Sequence, residues 1–186
     1  VFTGISNSDY QRLVFTDKKQ LNPWTGTGSA LSIASNRLSY FYNLKGPSLA
    51  VDTACSSSLT AIHLACNSLR QGESQLAIVS GVNPIWSPEW NIALSSAEML
   101  SPDGRCKTFD DSANGYVRSE GCSVVILKKL SDAIKDNNSV LAVIRGTAIN
   151  QDGQGNGLTA PNSQSQIDVV KSAVLNANIA PETVSY

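Results

Sequence analysis

The chain has 186 residues, a length typical of one domain or of part of one. Its 14 Lys and Arg residues against 15 Asp and Glu residues give a formal net charge of -1 at pH 7, and no long block of one sign occurs. This balance argues against a nucleic-acid partner and against binding to an anionic membrane. No apolar run approaches the roughly 18 residues of a membrane span, and the N-terminal residues lack a signal-peptide pattern, so we expect a cytoplasmic protein.

Cysteine spacing argues against two kinds of site. The four cysteines include no C-x-x-C pair, and the chain has one histidine. A disulfide scaffold needs a higher density of cysteines, and a zinc centre needs grouped Cys and His ligands. We therefore expect reduced thiols and no metal site.

Hydrophobic patterning predicts a strand and two helices in the first part of the chain. "VFTGIS" is typical of a short buried strand, and "SNSDYQRLVF" of a short helix with polar starting residues. "LNPWTGTG" is expected to be a loop because of its Asn-Pro pair and its glycines. Residues 29–43 carry apolar side chains at helical spacing, and "KGPS" should end that helix.

The next segment predicts a strand, a helix and a second strand. "SLAVDTA" is short and apolar, as expected of a central strand, and a helix should run from Ser56 to Arg70 before Gly72 ends it. "QLAIVSG" is then typical of another buried strand. A strand, helix and strand within about thirty residues predict a βαβ unit with parallel strands.

The rest of the chain predicts further alternation of helices and strands. A helix should start at "SPEW", with Ser87 as N-cap and Pro88 at the first helical position. "CSVVILKKL" and "SVLAVIRGTAI" predict strands on either side of a short helix, "SDAIKDNN". A glycine-rich loop should precede a last helix, residues 163–177. The predicted class is α/β, with a mostly parallel buried sheet and helices on both faces.

Cys55 lies at the predicted turn from strand to helix. Unpaired N–H groups and the positive end of the helix dipole favour an anion there, so this position favours a thiolate. The same N–H groups suit an oxyanion that forms on an acyl group at that sulfur. Position alone leaves open a second interpretation, in which Cys55 is a small buried apolar residue.

Several long motifs resemble one family. "VDTACSSSLTAIHLAC" is similar to the active-site motif of β-ketoacyl synthase domains of modular type I polyketide synthases. "GTGSALSIASNRLSYFYNLKGPSLAVDTACSSS", "MLSPDGRCKTFDDSANGYVRSEGC" and "GTAINQDGQGNGLTAPN" resemble further stretches of that family, in its order and spacing. The resemblance extends through nearly the whole chain.

The resemblance implies a thiolase-like fold that is only partly present here. Residues 1–138 would form the N-terminal half of the domain, and residues 139–186 would begin its C-terminal half. Cys55 matches the nucleophile that takes an acyl chain from an acyl carrier protein, and Met99 and Phe109 would line the acyl channel. The family usually forms homodimers, binds no cofactor directly and receives its substrates on the phosphopantetheine of the carrier protein. The implied reaction is decarboxylative condensation with a malonyl-type extender.

The resemblance also implies two catalytic histidines, in "VEAHGTGT" and "KSNIGH" motifs that these residues lack. His63 follows Cys55 by eight residues, a rise of about 12 Å along a helix, so it cannot serve as the base for this sulfur. We interpret His63 as a core histidine held by one or two hydrogen bonds. We expect the missing histidines beyond Tyr186, and the chain alone to be inactive.

Three alternatives remain open at this point. A fatty acid synthase ketosynthase would use the same nucleophile, although "NGLTAPN" resembles the polyketide enzymes more closely. A non-condensing, carrier-holding relative or a protein that resembles a chain-length factor would lack a histidine or the cysteine. A cysteine hydrolase would need a base close to Cys55. The paired carboxylates Asp110 and Asp111 are interpreted as loop-stabilising groups.

Overall fold

The computed structural model describes residues 1–185 and contains one four-stranded sheet. The strands are β1 (Phe2–Gly4), β2 (Leu49–Val51), β3 (Leu76–Asn83) and β4 (Gly121–Lys128). Their order across the sheet is β2-β1-β3-β4. Strand β1 is parallel to β2 and to β3, whereas β4 is antiparallel to β3. The predicted α/β class with a mostly parallel sheet is therefore confirmed.

Seven α-helices and three 3-10 turns accompany the sheet in the described residues. The helices are α1 (Asp9–Thr16), α2 (Thr25–Ser29), α3 (Ser32–Phe41), α4 (Ser57–Gln71), α5 (Glu89–Ser96), α6 (Leu130–Lys135) and α7 (Ser163–Ala177). The 3-10 turns are Lys18–Gln20, Ala54–Ser56 and Pro181–Thr183. Every helix predicted from the sequence is present. Helix α2 is an addition to that prediction, because its glycines favour a loop. None of the helices in residues 1–185 combines the length and the apolarity needed to cross a membrane.

The core lies between helix α4 and one face of the sheet. Six buried apolar side chains form it: Phe2, Ala61, Ala65, Leu69, Ala77 and Val79. The two alanines let the helix approach the strands closely, and the burial of apolar area is the main force that holds the layers together. Strand β2 leads into α4 and α4 leads into β3, so the predicted βαβ unit is confirmed, with β1 between its two parallel strands.

Two strand predictions differ from the structure. Strand β2 lies at an edge of the sheet and is half exposed, not central. Residues 139–149, predicted to be a strand, form no ladder within the described part of the chain, and no backbone hydrogen bond joins them to the sheet. A β-rich run becomes a strand only when a neighbouring strand pairs with its N–H and C=O groups, and such a neighbour is not found among residues 1–185.

The start of α5 and the tryptophans also differ from expectation. Helix α5 begins at Glu89, with Pro88 before its first residue, so Ser87 lies one position too early and makes no capping hydrogen bond. The tryptophans are predicted to be packing residues, but Trp24, Trp86 and Trp90 are 77%, 59% and 51% exposed.

Candidate active site

Cys55 lies in the 3-10 turn Ala54–Ser56 that connects β2 to α4, as predicted from the sequence. It is exposed. Ala54, the preceding residue, has a left-handed backbone with φ of 52°. A residue with a Cβ atom pays a steric cost in this region, so surrounding contacts must hold the turn in place.

Side-chain hydrogen bonds brace this turn on both sides of Ala54. The Ala54 N–H donates to Asp52 Oδ1 at 3.0 Å, and the Ser57 hydroxyl donates to the Ala54 carbonyl at 2.6 Å. Ser57 Oγ also accepts from the Thr53 N–H at 2.9 Å. The Ser56 hydroxyl donates to the Thr53 carbonyl at 2.8 Å. These bonds use the hydroxyl groups of the serine-rich run to fix the backbone on which Cys55 lies.

Two glycines, which have no side chains, allow the first turn of α4 to pack closely against the sheet. Gly4 of β1 pairs with Gly81 of β3, and both face Ser58. A Cβ atom at position 4 would lie 2.6 Å from the Ser58 backbone nitrogen, and one at position 81 would lie 2.8 Å from the Ser58 Cβ. Sequence reasoning missed this contact. A glycine inside a predicted strand often marks a close backbone approach, and that signal was available.

This arrangement suits nucleophilic attack by a thiolate. Helix α4 has 15 residues and begins at Ser57, two residues after Cys55, and its N-terminal end carries partial positive charge. Among the hydrogen bonds of the described residues, none engages the N–H of Cys55, which leaves that group free to donate to an oxyanion. An exposed sulfur, a helix N-terminus and a free N–H therefore meet in one turn.

The other three cysteines lie in different environments. Cys66 is buried on α4, and burial raises the pKa of its thiol. Cys106 is exposed, and its sulfur accepts the Val117 N–H at 3.3 Å. Cys122 is exposed on β4. Neither Cys106 nor Cys122 lies at a helix N-terminus, so Cys55 differs from all three.

His63 is held by two hydrogen bonds, as predicted, but it is only partly buried and lies on the side of α4 opposite the core, so its interpretation as a core histidine is wrong. Its Nδ1 lies 2.9 Å from Thr147 Oγ1, and its Nε2 lies 2.9 Å from the side-chain nitrogen of Asn67. Both ring nitrogens are therefore occupied, which leaves neither available to take a proton from Cys55.

Residues 101–116 form a loop of turns that is tied at its base. Leu100 and Tyr116 form an isolated parallel bridge, and the Lys107 ammonium donates to Asp103 Oδ1 and Asn114 Oδ1 at 2.9 and 2.7 Å. In this loop the Ser112 hydroxyl and N–H donate to Asp110, and they lower the pKa of that carboxyl. Asp110 therefore stabilises a turn of the loop, as interpreted from the sequence, whereas the same role for Asp111 stays a prediction.

The two predicted channel residues lie at this loop and next to it. Met99 is 39% exposed, and its carbonyl accepts the Tyr116 N–H at 3.1 Å. Phe109 has a left-handed backbone with φ of 63°, and its side chain is fully exposed. The channel role of both residues stays a prediction.

Two surface pockets of the described residues lie elsewhere. One, of about 180 Å³, is lined by Tyr10, Arg37 and Trp86 among others. The second, of about 370 Å³, lies between α1 and the start of α5. Neither is lined by Cys55, Met99 or Phe109. In residues 1–185, no group of three or more His, Cys, Asp or Glu side chains is arranged to hold a metal ion.

Comparison with known proteins extends over the whole chain. One component of the phenolphthiocerol/phthiocerol polyketide synthase of Mycobacterium tuberculosis is 49% identical over 186 residues, which are 100% of this chain and 12% of that protein. A second component of the same synthase, from the same organism, is 51% identical over the same length, which is 10% of that protein. The chain thus spans about an eighth or less of the curated relatives it matches.

Solved structures confirm the expected fold. The ketosynthase from module 6 of the bacillaene synthase of Bacillus subtilis 168 superposes with a TM-score of 0.90 at 41% identity, over 100% of this chain and 31% of that one. An oxazolomycin ketosynthase domain of Streptomyces albus JA3453 superposes with a TM-score of 0.89 at 40% identity, over 97% of this chain and 32% of that one. The chain therefore has part of the thiolase-like fold, as expected.

Family models match on both sides of a short gap. Residues 1–133 match the beta-ketoacyl synthase N-terminal domain, and residues 141–186 match the beta-ketoacyl synthase C-terminal domain. Cys55 and its braced turn lie within the first match. The chain belongs to the beta-ketoacyl synthase family of transferases and is homologous to the ketosynthase regions of polyketide synthases.

Proposed function

We propose that Cys55 is the acyl-accepting nucleophile of a polyketide ketosynthase. The observation that carries this proposal is the position of Cys55, exposed in a braced turn at the N-terminus of α4. A thiolate at this position is stabilised by the helix dipole, and it attacks the carbonyl carbon of an acyl thioester. The carrier thiolate then leaves, and the acyl group stays on Cys55 as a new thioester.

The second step lengthens the acyl chain. A malonyl-type extender on an acyl carrier protein loses carbon dioxide, and the electron pair of the broken bond remains as a carbanion. That carbanion attacks the thioester carbonyl, and Cys55 leaves as a thiolate. The Cys55 N–H is suited to stabilise the oxyanion formed in both acyl-transfer steps. No bound cofactor is required, because both substrates arrive on the phosphopantetheine of the carrier.

Further features belong to the same proposal. Residues 1–138 form the N-terminal half of the domain, and residues 139–186 begin the C-terminal half. Met99 and Phe109 contribute to the acyl channel. The complete domain works as a cytoplasmic homodimer that receives acyl carrier protein. Residues 1–186 alone do not condense, because the two family histidines are not among them, and chain extension by the purified chain would contradict this.

Two other functions are less well supported. The ketosynthase of a fatty acid synthase would use Cys55 in the same way, but identities of about half to polyketide synthases over the whole chain favour the polyketide enzyme. A carrier-holding domain that does not condense would also load Cys55. It would differ in the second step only.

Selective acylation of Cys55 tests the proposal. A ketosynthase domain of full family length that contains this chain is incubated with a short acyl-pantetheine thioester, digested and analysed by mass spectrometry. We expect the acyl group on Cys55, no acylation of the Cys55→Ala variant, and normal acylation of the Cys106→Ala control. Cys106 is the sharpest competitor, because it is exposed and its sulfur accepts an N–H. Preferential acylation of Cys106 would overturn the assignment.

A further inference from the structure

A polar stripe runs along α4 on the side opposite the core. His63, Asn67 and Arg70 lie roughly 180° around the helix from the core-facing residues, at 100° per residue. The core-facing side is apolar and contains two alanines. Helix α4 therefore has two distinct faces, one packed on the sheet and one that carries hydrogen-bonding groups.

The first contact of this stripe joins His63 to a distant part of the chain. His63 Nδ1 lies 2.9 Å from the hydroxyl of Thr147, which is 84 residues further along. The other ring nitrogen is 2.9 Å from Asn67, one turn further on the same helix. The ring thus makes one hydrogen bond within α4, to Asn67, and one outside it, to Thr147.

The second contact is centred on Asn176 of α7. Asn176 Oδ1 accepts from the Arg70 guanidinium at 3.3 Å and from the Thr147 N–H at 3.0 Å. The Arg70 guanidinium also donates to the Arg145 carbonyl at 3.5 Å. Thr147 is therefore tied to α4 through its side chain and to α7 through its backbone.

Gly146, between Arg145 and Thr147, lies in close contact with the backbone of α7. A Cβ atom at Gly146 would overlap the backbone of Ala173 and Ala177 in α7. Residues 145–147 consequently lie between α4 and α7 with no space for a side chain at the middle position. The contacts of His63 and Arg70 thus reach a segment that is itself held in place.

These contacts differ in kind from the packing on the sheet side. Apolar burial is not directional, and alanines present few projections that resist sliding along the helix axis. Hydrogen bonds depend steeply on distance and angle, so they select one axial position. The polar stripe connects the segment that matches the N-terminal family domain to the segment that matches the C-terminal one.

We propose that His63 and Arg70 are positioning residues that fix the axial position of α4, and with it Cys55, relative to residues 145–147 and α7. The inference rests on the proposed function, because the group being positioned is the nucleophile. Loading of Cys55 needs only the sulfur and its own turn. Condensation needs that sulfur in register with groups from the rest of the domain, so the loss of these contacts acts on condensation more than on loading.

Substitutions at Thr147 and Asn176 test this separation in a domain of full family length. Thr147→Val removes the hydroxyl and keeps the shape, and Thr147→Ser is the matched control that keeps the hydroxyl. Asn176→Ala removes the acceptor shared by Arg70 and Thr147, and Asn176→Asp keeps it. Loading is measured with an acyl-pantetheine thioester by mass spectrometry, and condensation with malonyl-loaded acyl carrier protein.

We expect Thr147→Val and Asn176→Ala to lower the condensation rate about tenfold, with loading within twofold of the wild type, as a misplacement below 1 Å would do. Thr147→Ser and Asn176→Asp should restore most of the rate. Unchanged condensation in both first variants would overturn the inference, as would a parallel loss of loading and condensation. Failure of the wild type to load Cys55 would instead refute the proposed function.

Discussion

An alanine at position 4 places its methyl group inside the first turn of α4. The new Cβ would lie 2.6 Å from the Ser58 nitrogen and 2.7 Å from the Ser57 carbonyl carbon, both backbone atoms. Reaching van der Waals contact at about 3.5 Å requires the helix and the strand to separate by roughly 0.9 Å. Backbone atoms cannot rotate away, so the whole first turn of α4 has to move.

This displacement has two measurable consequences. Overpacking of this kind lowers the free energy of unfolding by about 1–3 kcal/mol. The same movement shifts Cys55, and a misplacement of about 1 Å at a reacting group can lower a rate about 100-fold. We expect Gly4→Ala to show both effects, measured by urea denaturation and by the rate of condensation with malonyl-loaded acyl carrier protein in a domain of full family length.

A second glycine separates backbone overlap from side-chain overlap. A Cβ at Gly81 would meet the Ser58 Cβ at 2.8 Å, whereas the Ser58 Cα is 3.9 Å away. Ser58→Gly should therefore rescue Gly81→Ala and leave Gly4→Ala impaired. Gly121→Ala on β4 is the matched control, because nothing lies within 4 Å of its Cβ position. Equal stability of the position 4 and position 121 variants would refute the reasoning.

Replacing Asn162 with Ala removes the acceptor of two N–H groups at the start of α7, so we expect urea denaturation to show a loss of about 1 kcal/mol. Asn162→Asp should be close to the wild type, and equal loss in both variants would contradict this. Burial raises the pKa of the Cys66 thiol, so Cys66 should be the last of the four cysteines to react with iodoacetamide in peptide mapping; early labelling would count against its burial. Hydrogen bonds from Ser101 and Lys107 lower the pKa of Asp103 from 3.8 to about 2. The stability that the Asp103 carboxylate contributes should therefore be fully present above pH 3.8 and lost as the pH falls through about 2. An NMR titration of Asp103 with its midpoint at pH 3.8 would contradict this prediction.

Local sequence signals predict most helices and the position of the nucleophile. Helix α7 has the predicted bounds because Asn162 caps its start and Asn178 ends it in a left-handed conformation, and both signals lie next to the helix. Cys55 is located from a strand and a helix that adjoin it. The strand predicted for residues 139–149 is wrong, because pairing depends on a partner that the local pattern does not reveal.

Contacts between distant residues could not be predicted in the same way. Gly4 and Gly81 face the same turn only because β1 and β3 pair in one register, and no local pattern determines that register. The hydrogen bond between His63 and Thr147 joins residues 84 positions apart. The sequence suggested a bonded histidine, and the structure supplied its partners.

The left-handed backbone of Ala54 affects the stability of the protein and the turnover of its active site in opposite directions. Glycine would adopt this backbone at lower cost, so Ala54→Gly would relieve strain in the folded state. It would also widen the range of conformations open to the turn, and the sulfur of Cys55 would spend less time where it can react. Selection for a more robust protein and selection for a faster one therefore favour different residues at position 54.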